Sequence, residues 1–367
     1  MVFLFATMYV AVPVNRGSST DAVASRGASF SALLTHIGHP NVLATSPGNP
    51  LAPSYSCPLS SGCWASLNWA GYVVLAPTDL ASTPPTTGVS YVAASWTVPT
   101  ITGASGPSGS WFPPIPPTCT SPATCTSYPG PTGTCPDTQN SWYSNSVWIG
   151  IDGFDTPYVE QTGTSTDCIY GATANPGVAG TAYYAWYEFY PLGSVILPLA
   201  IHPGDSISAS VTYYTTASGT CMTGCYSTTL TDTTTSQSAT SGAVSAAYLG
   251  ALDCPPPASP CPPPNGSAEW ISESPYAFGF LGLTQTSLIT FTDATATVNG
   301  VTNTLPGWSA IAPTGMCIPW STLSCVDWME SITYGWITTP TVGYTKEIPG
   351  MYTPISDFSF TWLSTGP

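Results

Sequence analysis

The chain has 367 residues, of which 43% are hydrophobic and 12% aromatic, so there is ample material for a sizeable core. Only 6% are charged, against roughly 25% in an ordinary globular protein, and 18 acidic side chains face three basic ones (Arg16, Arg26, Lys346), for a net charge of −15 at pH 7. Such a surface excludes phosphate-backbone binding at neutral pH, and in strong acid it carries so few cations that it escapes the positive self-repulsion behind acid unfolding.

Residues 1–15, MVFLFATMYVAVPVN, are apolar and uncharged. They are too short for a membrane-spanning helix but fit a signal-like apolar segment, so the chain is expected to be secreted with no stable membrane insertion after processing. Residues 16–65 are rich in Ser, Ala, Pro and Gly without a sustained period, and read as a propeptide or a linker. The remainder, 66–367, is expected to be one domain.

From Asn68 onward, strand signals dominate. Runs rich in Val, Ile, Tyr, Trp and Thr, bounded by Gly, Pro and Asn/Asp, predict strands over 91–98, 146–151, 182–190, 206–214, 267–272, 288–298 and 358–363. With 39 prolines and 34 glycines, long helices are excluded. Residues 206–213 alternate as a half-exposed antiparallel strand should. Many short strands without interleaved helices predict an all-β sandwich or barrel.

Cys/Pro-rich segments at 103–140, 217–227 and 253–266 read as surface loops pinned by disulfides, and 228–247 suits an exposed hairpin. Twelve cysteines at short spacings point to an oxidising compartment. The close pairs are Cys57/Cys63, Cys119/Cys125, Cys221/Cys225, Cys254/Cys261 and Cys317/Cys325, and Cys135 and Cys168 are left to each other. Zinc is the weaker explanation, since His36, His39 and His202 are the only histidines and no HExxH is present.

The nucleophile elbow, the P-loop and the dinucleotide fingerprint are absent, as are paired Asp-Thr/Ser-Gly motifs. Gly163-Thr164-Ser165 superficially suggests a nucleophilic serine, but no histidine is placed to serve it. Carboxylates and amides remain. Glu188 lies in Trp186-Tyr187-Glu188-Phe189-Tyr190 and Glu269 in Ser267-Ala268-Glu269-Trp270-Ile271. An aromatic-lined strand desolvates a carboxyl and raises its pKa, which suits acid/base work at low pH. A carboxyl bonded to Tyr or Trp for structural reasons fits the same pattern.

Trp148-Ile149-Gly150-Ile151-Asp152-Gly153, Glu160-Gln161-Thr162-Gly163, Ala185-Trp186-Tyr187-Glu188-Phe189-Tyr190-Pro191 and Ala268-Glu269-Trp270-Ile271 together resemble the glutamic peptidases, the eqolisins. Asn68-Trp69-Ala70-Gly71-Tyr72, Ser95-Trp96-Thr97-Val98-Pro99, Pro203-Gly204-Asp205, Phe291-Thr292-Asp293-Ala294 and Phe358-Ser359-Phe360-Thr361-Trp362 follow in family order, so the resemblance covers about residues 66 to 363. It implies a lectin-like sandwich of two antiparallel sheets and an acid endopeptidase acting on polypeptides without cofactor or metal. The catalytic glutamate falls on Glu269 and the catalytic glutamine on Gln161, with Trp148, Asp152, Glu188 and Tyr190 supporting the site. In that mechanism Glu269 activates a water and Gln161 donates to the oxyanion. Tyr184 stands where many relatives carry an aspartate, which leaves open a carboxylate network around Asp152.

Two other readings remain at this point. A sandwich glycosidase needs a close carboxylate pair, whereas Glu269 and Glu273, four apart on a strand, are separated by about 13 Å. A secreted carbohydrate- or surface-binding module would use exposed aromatics. Asn265-Gly266-Ser267 is a glycosylation sequon, and a monomer is expected.

Overall fold

The computed structural model describes residues 43–45, 64–66, 69–76, 88–103, 141–154, 156, 158–170, 180–253, 262–275, 282–305, 323–334, 340–349 and 357–362. In chain order the first strands are β1 (Leu43–Thr45), β2 (Trp64–Ser66), β3 (Trp69–Leu75), β4 (Val89–Thr97), β5 (Ile101–Gly103), β6 (Ser141–Ile151), β7 (Val159–Tyr170), β8 (Gly180–Tyr190), β9 (Val195–Ala200) and β10 (Ser206–Tyr214). They are followed by β11 (Cys225–Asp232), β12 (Gln237–Thr240), β13 (Val244–Ser245), β14 (Ser267–Glu273), β15 (Gly282–Leu283), β16 (Gln285–Thr286), β17 (Thr290–Val298), β18 (Val301–Thr304), β19 (Leu323–Tyr334), β20 (Pro340–Pro349) and β21 (Phe358–Trp362). Among the described residues the only α-helix is Ala246–Asp253, and none is long and apolar enough to cross a membrane.

One antiparallel sheet runs β9–β8–β7–β6–β14–β3–β19. The other runs β12–β11–β10–β4–β17, where β17 also meets β18 and β21. β21 pairs with β20, and β20 with β19, so the two sheets share a connecting strand. Their facing sides bury Tyr72, Val92, Trp96, Ile149, Trp270 and Phe291 in one core. This is the β-sandwich the strand pattern predicts.

Two indoles tie the layers. Trp270 Nε1 on β14 donates to the Ala93 carbonyl on β4 at 3.0 Å, and Trp96 Nε1 on β4 donates to Thr164 Oγ1 on β7 at 2.9 Å. Each ring brings a large apolar surface between the sheets while its one N–H finds an acceptor.

β10 alternates as expected, with Ile207, Ala209, Val211 and Tyr213 inward. β7 does not. Its sequence VEQTGTSTDCIY is mostly polar, yet the strand is buried on both faces from Val159 to Cys168. Local partners make this tolerable: Thr162 Oγ1 donates to the Trp186 carbonyl at 2.7 Å, and Ser165 and Ser146 share a 2.6 Å hydrogen bond. A hydropathy reading therefore misses the strand that carries Gln161.

Cys221 and Cys225 are bridged, with Cα atoms 5.0 Å apart, so the 217–227 loop is pinned as expected. Cys168 is also disulfide-bonded. The expected partner Cys135, like Cys57, Cys63, Cys119, Cys125, Cys254, Cys261 and Cys317, lies outside the described residues. The 228–247 stretch does contain a hairpin, with Asp232 opposite Gln237. The signal-like segment and most of 16–65 lie outside the described residues, but β1 and β2 pair with each other and β2 adds in parallel to β19.

Trp270→Ala removes the largest side chain between the sheets at the strand that carries Glu269. It is expected to destabilise the fold by about 3–5 kcal/mol, read as a lowered urea midpoint.

Candidate active site

The site residues come together through strand register. Glu269 on β14 faces Gly150 on β6, Gly150 faces Gln161 on β7, and Gln161 faces Glu188 on β8. Residues directly opposite in an antiparallel sheet share a face, so Glu269, Gly150, Gln161 and Glu188 form one row across four strands. Ala268 and Trp270, the neighbours of Glu269, point into the core, which puts the row on the opposite side of the sheet. All three polar members are fully buried.

Glu269 and Gln161 are two strand spacings apart, about 10 Å between backbones. The residue between them has no side chain. A Cβ at Gly150 would stand 3.3 Å from Gln161 Cβ and 2.9 Å from the Trp148 ring, so glycine at this position makes room for the Trp148 indole beside Gln161. Gln161 Nε2 donates to Glu188 Oε2 at 2.9 Å, and Gln161 Oε1 has no hydrogen-bond partner. The amide is thereby oriented from β8. One N–H is held by Glu188, and an NH₂ group has a second to offer.

Trp148 lies one row away, opposite Gly163 and Ile271. Its Nε1 donates to Glu273 Oε2 at 2.7 Å, and its ring meets Trp69 edge-on with centroids 4.7 Å apart. A Cβ at Gly163 would approach Trp148 Cβ to 2.5 Å, so the Gly of Gln161-Thr162-Gly163 is a spacer for this indole. Glu273 is the residue that the sequence pattern noted only for its spacing from Glu269. That spacing of four keeps both on one face.

Asp152 sits just beyond the end of β6 with φ of 64°, a left-handed conformation that aspartate tolerates. Its carboxyl accepts from the backbone N–H groups of Asn265 at 2.9 Å and Gly266 at 2.6 Å, and its own N–H donates to the Ser267 carbonyl at 2.9 Å. Asp152 therefore clamps the approach to β14, three residues before Glu269. The described bonds to its carboxyl come from backbone amides. Tyr184 donates to Asp167 Oδ2 at 3.2 Å. Burial, and after it the Asp167 charge, pushes the Tyr184 phenol well above its ordinary value, so it remains a donor. Tyr190 is half-buried, two positions past Glu188 on the same face.

Asn265 is a structural residue here. It is 1% exposed, accepts a hydrogen bond from the Tyr226 hydroxyl and has φ of 57°. The sequon is closed inside the fold. Among the described tryptophans of this face, Trp69, Trp148 and Trp186 are all buried and offer no exposed aromatic platform for a sugar. Among the described residues, no group of three or more His, Cys, Asp and Glu side chains is arranged to hold a metal ion.

Residues 67–312 match the Peptidase A4 family. Aspergillopepsin-2 of Aspergillus niger is 31% identical over 246 residues, which span 65% of this chain and 66% of that protein, just under two thirds of its length. Among solved structures, a scytalido-glutamic peptidase bound to a transition state analog inhibitor aligns with 81% of this chain and 98% of its own at 19% identity and a TM-score of 0.45. The aspergilloglutamic peptidase from Aspergillus niger aligns with 60% of this chain and 99% of its own, at 23% identity and a TM-score of 0.38.

Asp152→Ala leaves two buried amides without their acceptor. It is expected to cost about 2–3 kcal/mol in unfolding free energy, and to expose the amides of 265–267 to faster hydrogen exchange. When the protein is expressed in a glycosylating host, intact-mass analysis of the folded product should find Asn265 unmodified.

Proposed function

The chain belongs to the Peptidase A4 family, and from that premise we propose that it is an acid endopeptidase with Glu269 and Gln161 as its reacting pair. The observation that carries this reading is the shared row: a carboxyl and an oriented amide on one sheet face, on either side of Gly150.

In the proposed reaction Glu269, as carboxylate, takes a proton from a water molecule while the water oxygen bonds to the scissile carbonyl carbon. The carbonyl π electrons move to oxygen, and the second N–H of Gln161 Nε2 donates to that oxyanion. Such a donor contributes about 3–4 kcal/mol in comparable sites. Glu269 then passes its proton to the leaving nitrogen as the C–N bond breaks, which restores the carboxylate. Glu188 holds the amide in its donor orientation. Trp148, fixed by Glu273 and Trp69, forms the floor, Tyr190 lies on the other side of the Gln161–Glu188 row, and Asp152 sets the position of β14.

An amide suits this role in acid because its donor persists at any pH where the fold survives. Secretion into an acidic medium is the matching setting, supported by the cation-poor composition and the Cys221–Cys225 bridge. Polypeptides are the proposed substrates.

The test is cleavage of a denatured protein at about pH 2–4, the acid range proposed for the enzyme, with the chain first incubated in acid to allow removal of a propeptide. Pepstatin-resistant activity is expected. Glu269→Gln and Gln161→Ala should each abolish it, with circular dichroism unchanged. Full activity in either variant sinks the assigned pair.

A further inference from the structure

Glu160 immediately precedes Gln161 on β7, so its side chain takes the opposite face of the strand, alongside Ile151 and Phe189 of the core. It is 0% exposed, and neither carboxyl oxygen meets a hydrogen-bond donor from another residue. The titratable groups around it come from every packed element: Asp152 at the end of β6, Glu269 on β14 and Tyr226 on β11 across the sandwich. Tyr213 on β10 and Tyr158 just before β7 complete the cluster around Tyr226. None of these is a cation. A buried carboxylate without donors or a counter-charge is costly enough that such groups stay neutral.

We propose that Glu160 is a positioning residue for the reaction, a carboxylic acid that must stay neutral between the sheets for β6, β7 and β14 to hold Gln161 and Glu269 in register, and whose ionisation ends activity on the neutral side. This rests on the reading of Glu269 and Gln161 as the reacting pair. Asp152 connects the two ideas, because it is a neighbour of Glu160 and also the clamp on the approach to β14. A charge on Glu160 repels the clamp and the catalytic carboxyl together.

Burial, then the Asp152 charge, then that of Glu269, holds the Glu160 carboxyl well above its ordinary value of 4.5. Between that value and its raised folded-state value the folded chain keeps a proton that the unfolded chain has lost, so stability falls as pH rises. The contribution is whole below about 4.5 and is lost as pH climbs through the folded-state value. This device works in the opposite direction to an ion-paired carboxylate.

Glu160→Gln keeps the shape and removes the charge. Its kcat/KM profile is expected to keep its acid limb and extend its neutral limb upward by about one pH unit or more. Its urea midpoint, which in wild type falls as pH rises above 4.5, should become flatter. A neutral limb that does not move, or a midpoint that falls as steeply as in wild type, overturns the proposal. If the variant does not fold, infrared spectroscopy of the folded wild type decides: a protonated buried carboxyl persisting at about pH 6 is expected, and its absence overturns the proposal. The unfolding and infrared measurements need no substrate. A chain without peptidase activity would therefore refute the Glu269–Gln161 reading alone, while Glu160 would still be judged by them.

Discussion

Cross-strand register across β14, β6, β7 and β8 is the constraint on which the rest of this molecule depends. It converts four residues from separate parts of the chain (Glu269, Gly150, Gln161, Glu188) into a single line on one sheet face. A slip of one residue in any of these strands would turn its functional group into the core. Several features hold the register. Asp152 fastens the approach to β14 to the end of β6. Trp96 bonds β7, and Trp270 bonds β14, to the same opposing strand, β4.

The site is unusual in how much ionisable material it buries with few cations. Asp152, Glu160, Asp167, Glu188, Glu269 and Glu273 are all inaccessible to solvent, in a chain with three basic residues. The observed donors are neutral: backbone amides to Asp152, an indole to Glu273, a phenol to Asp167 and an amide to Glu188. Neutral donors serve a protonated carboxyl as well as an ionised one, because a carboxylic acid keeps acceptor capacity. The described hydrogen bonds therefore do not depend on the ionisation that acid would reverse. A low content of basic residues and burial of carboxyls against neutral donors act in the same direction, through different physics: one limits repulsion in acid, and the other makes ionisation the expensive event.

Glycines and small hydroxyl residues do the geometric work that hydrophobic residues do elsewhere. Gly150 and Gly163 both leave room for the Trp148 side chain. Ser and Thr hydroxyls of β7 find partners on adjacent strands and across the sandwich, as with Thr162 to Trp186, Ser165 to Ser146 and Thr164 to Trp96. That is why the central strand of the site has the composition of a loop.

Much was legible in the residues themselves. Strand-rich runs, abundant proline and glycine, and the alternation of 206–213 determined an all-β architecture, because those patterns depend on local sterics and on which face of a strand meets water. The ordered motifs around Gln161 and Glu269 identified the candidate pair. Composition alone set the acid-compatible charge balance. Only the tertiary structure decided which groups share a face and which are back to back. Asn265 read as a sugar acceptor and became a buried partner of Tyr226. Glu273 read as a spacing curiosity and became the anchor of Trp148. Glu160 read as one more glutamate beside a motif, and its place between the sheets, with no donor from another residue, comes from strands far away in sequence. Burial and hydrogen-bond partnership are properties of what packs above and below a strand, and a linear pattern does not contain them.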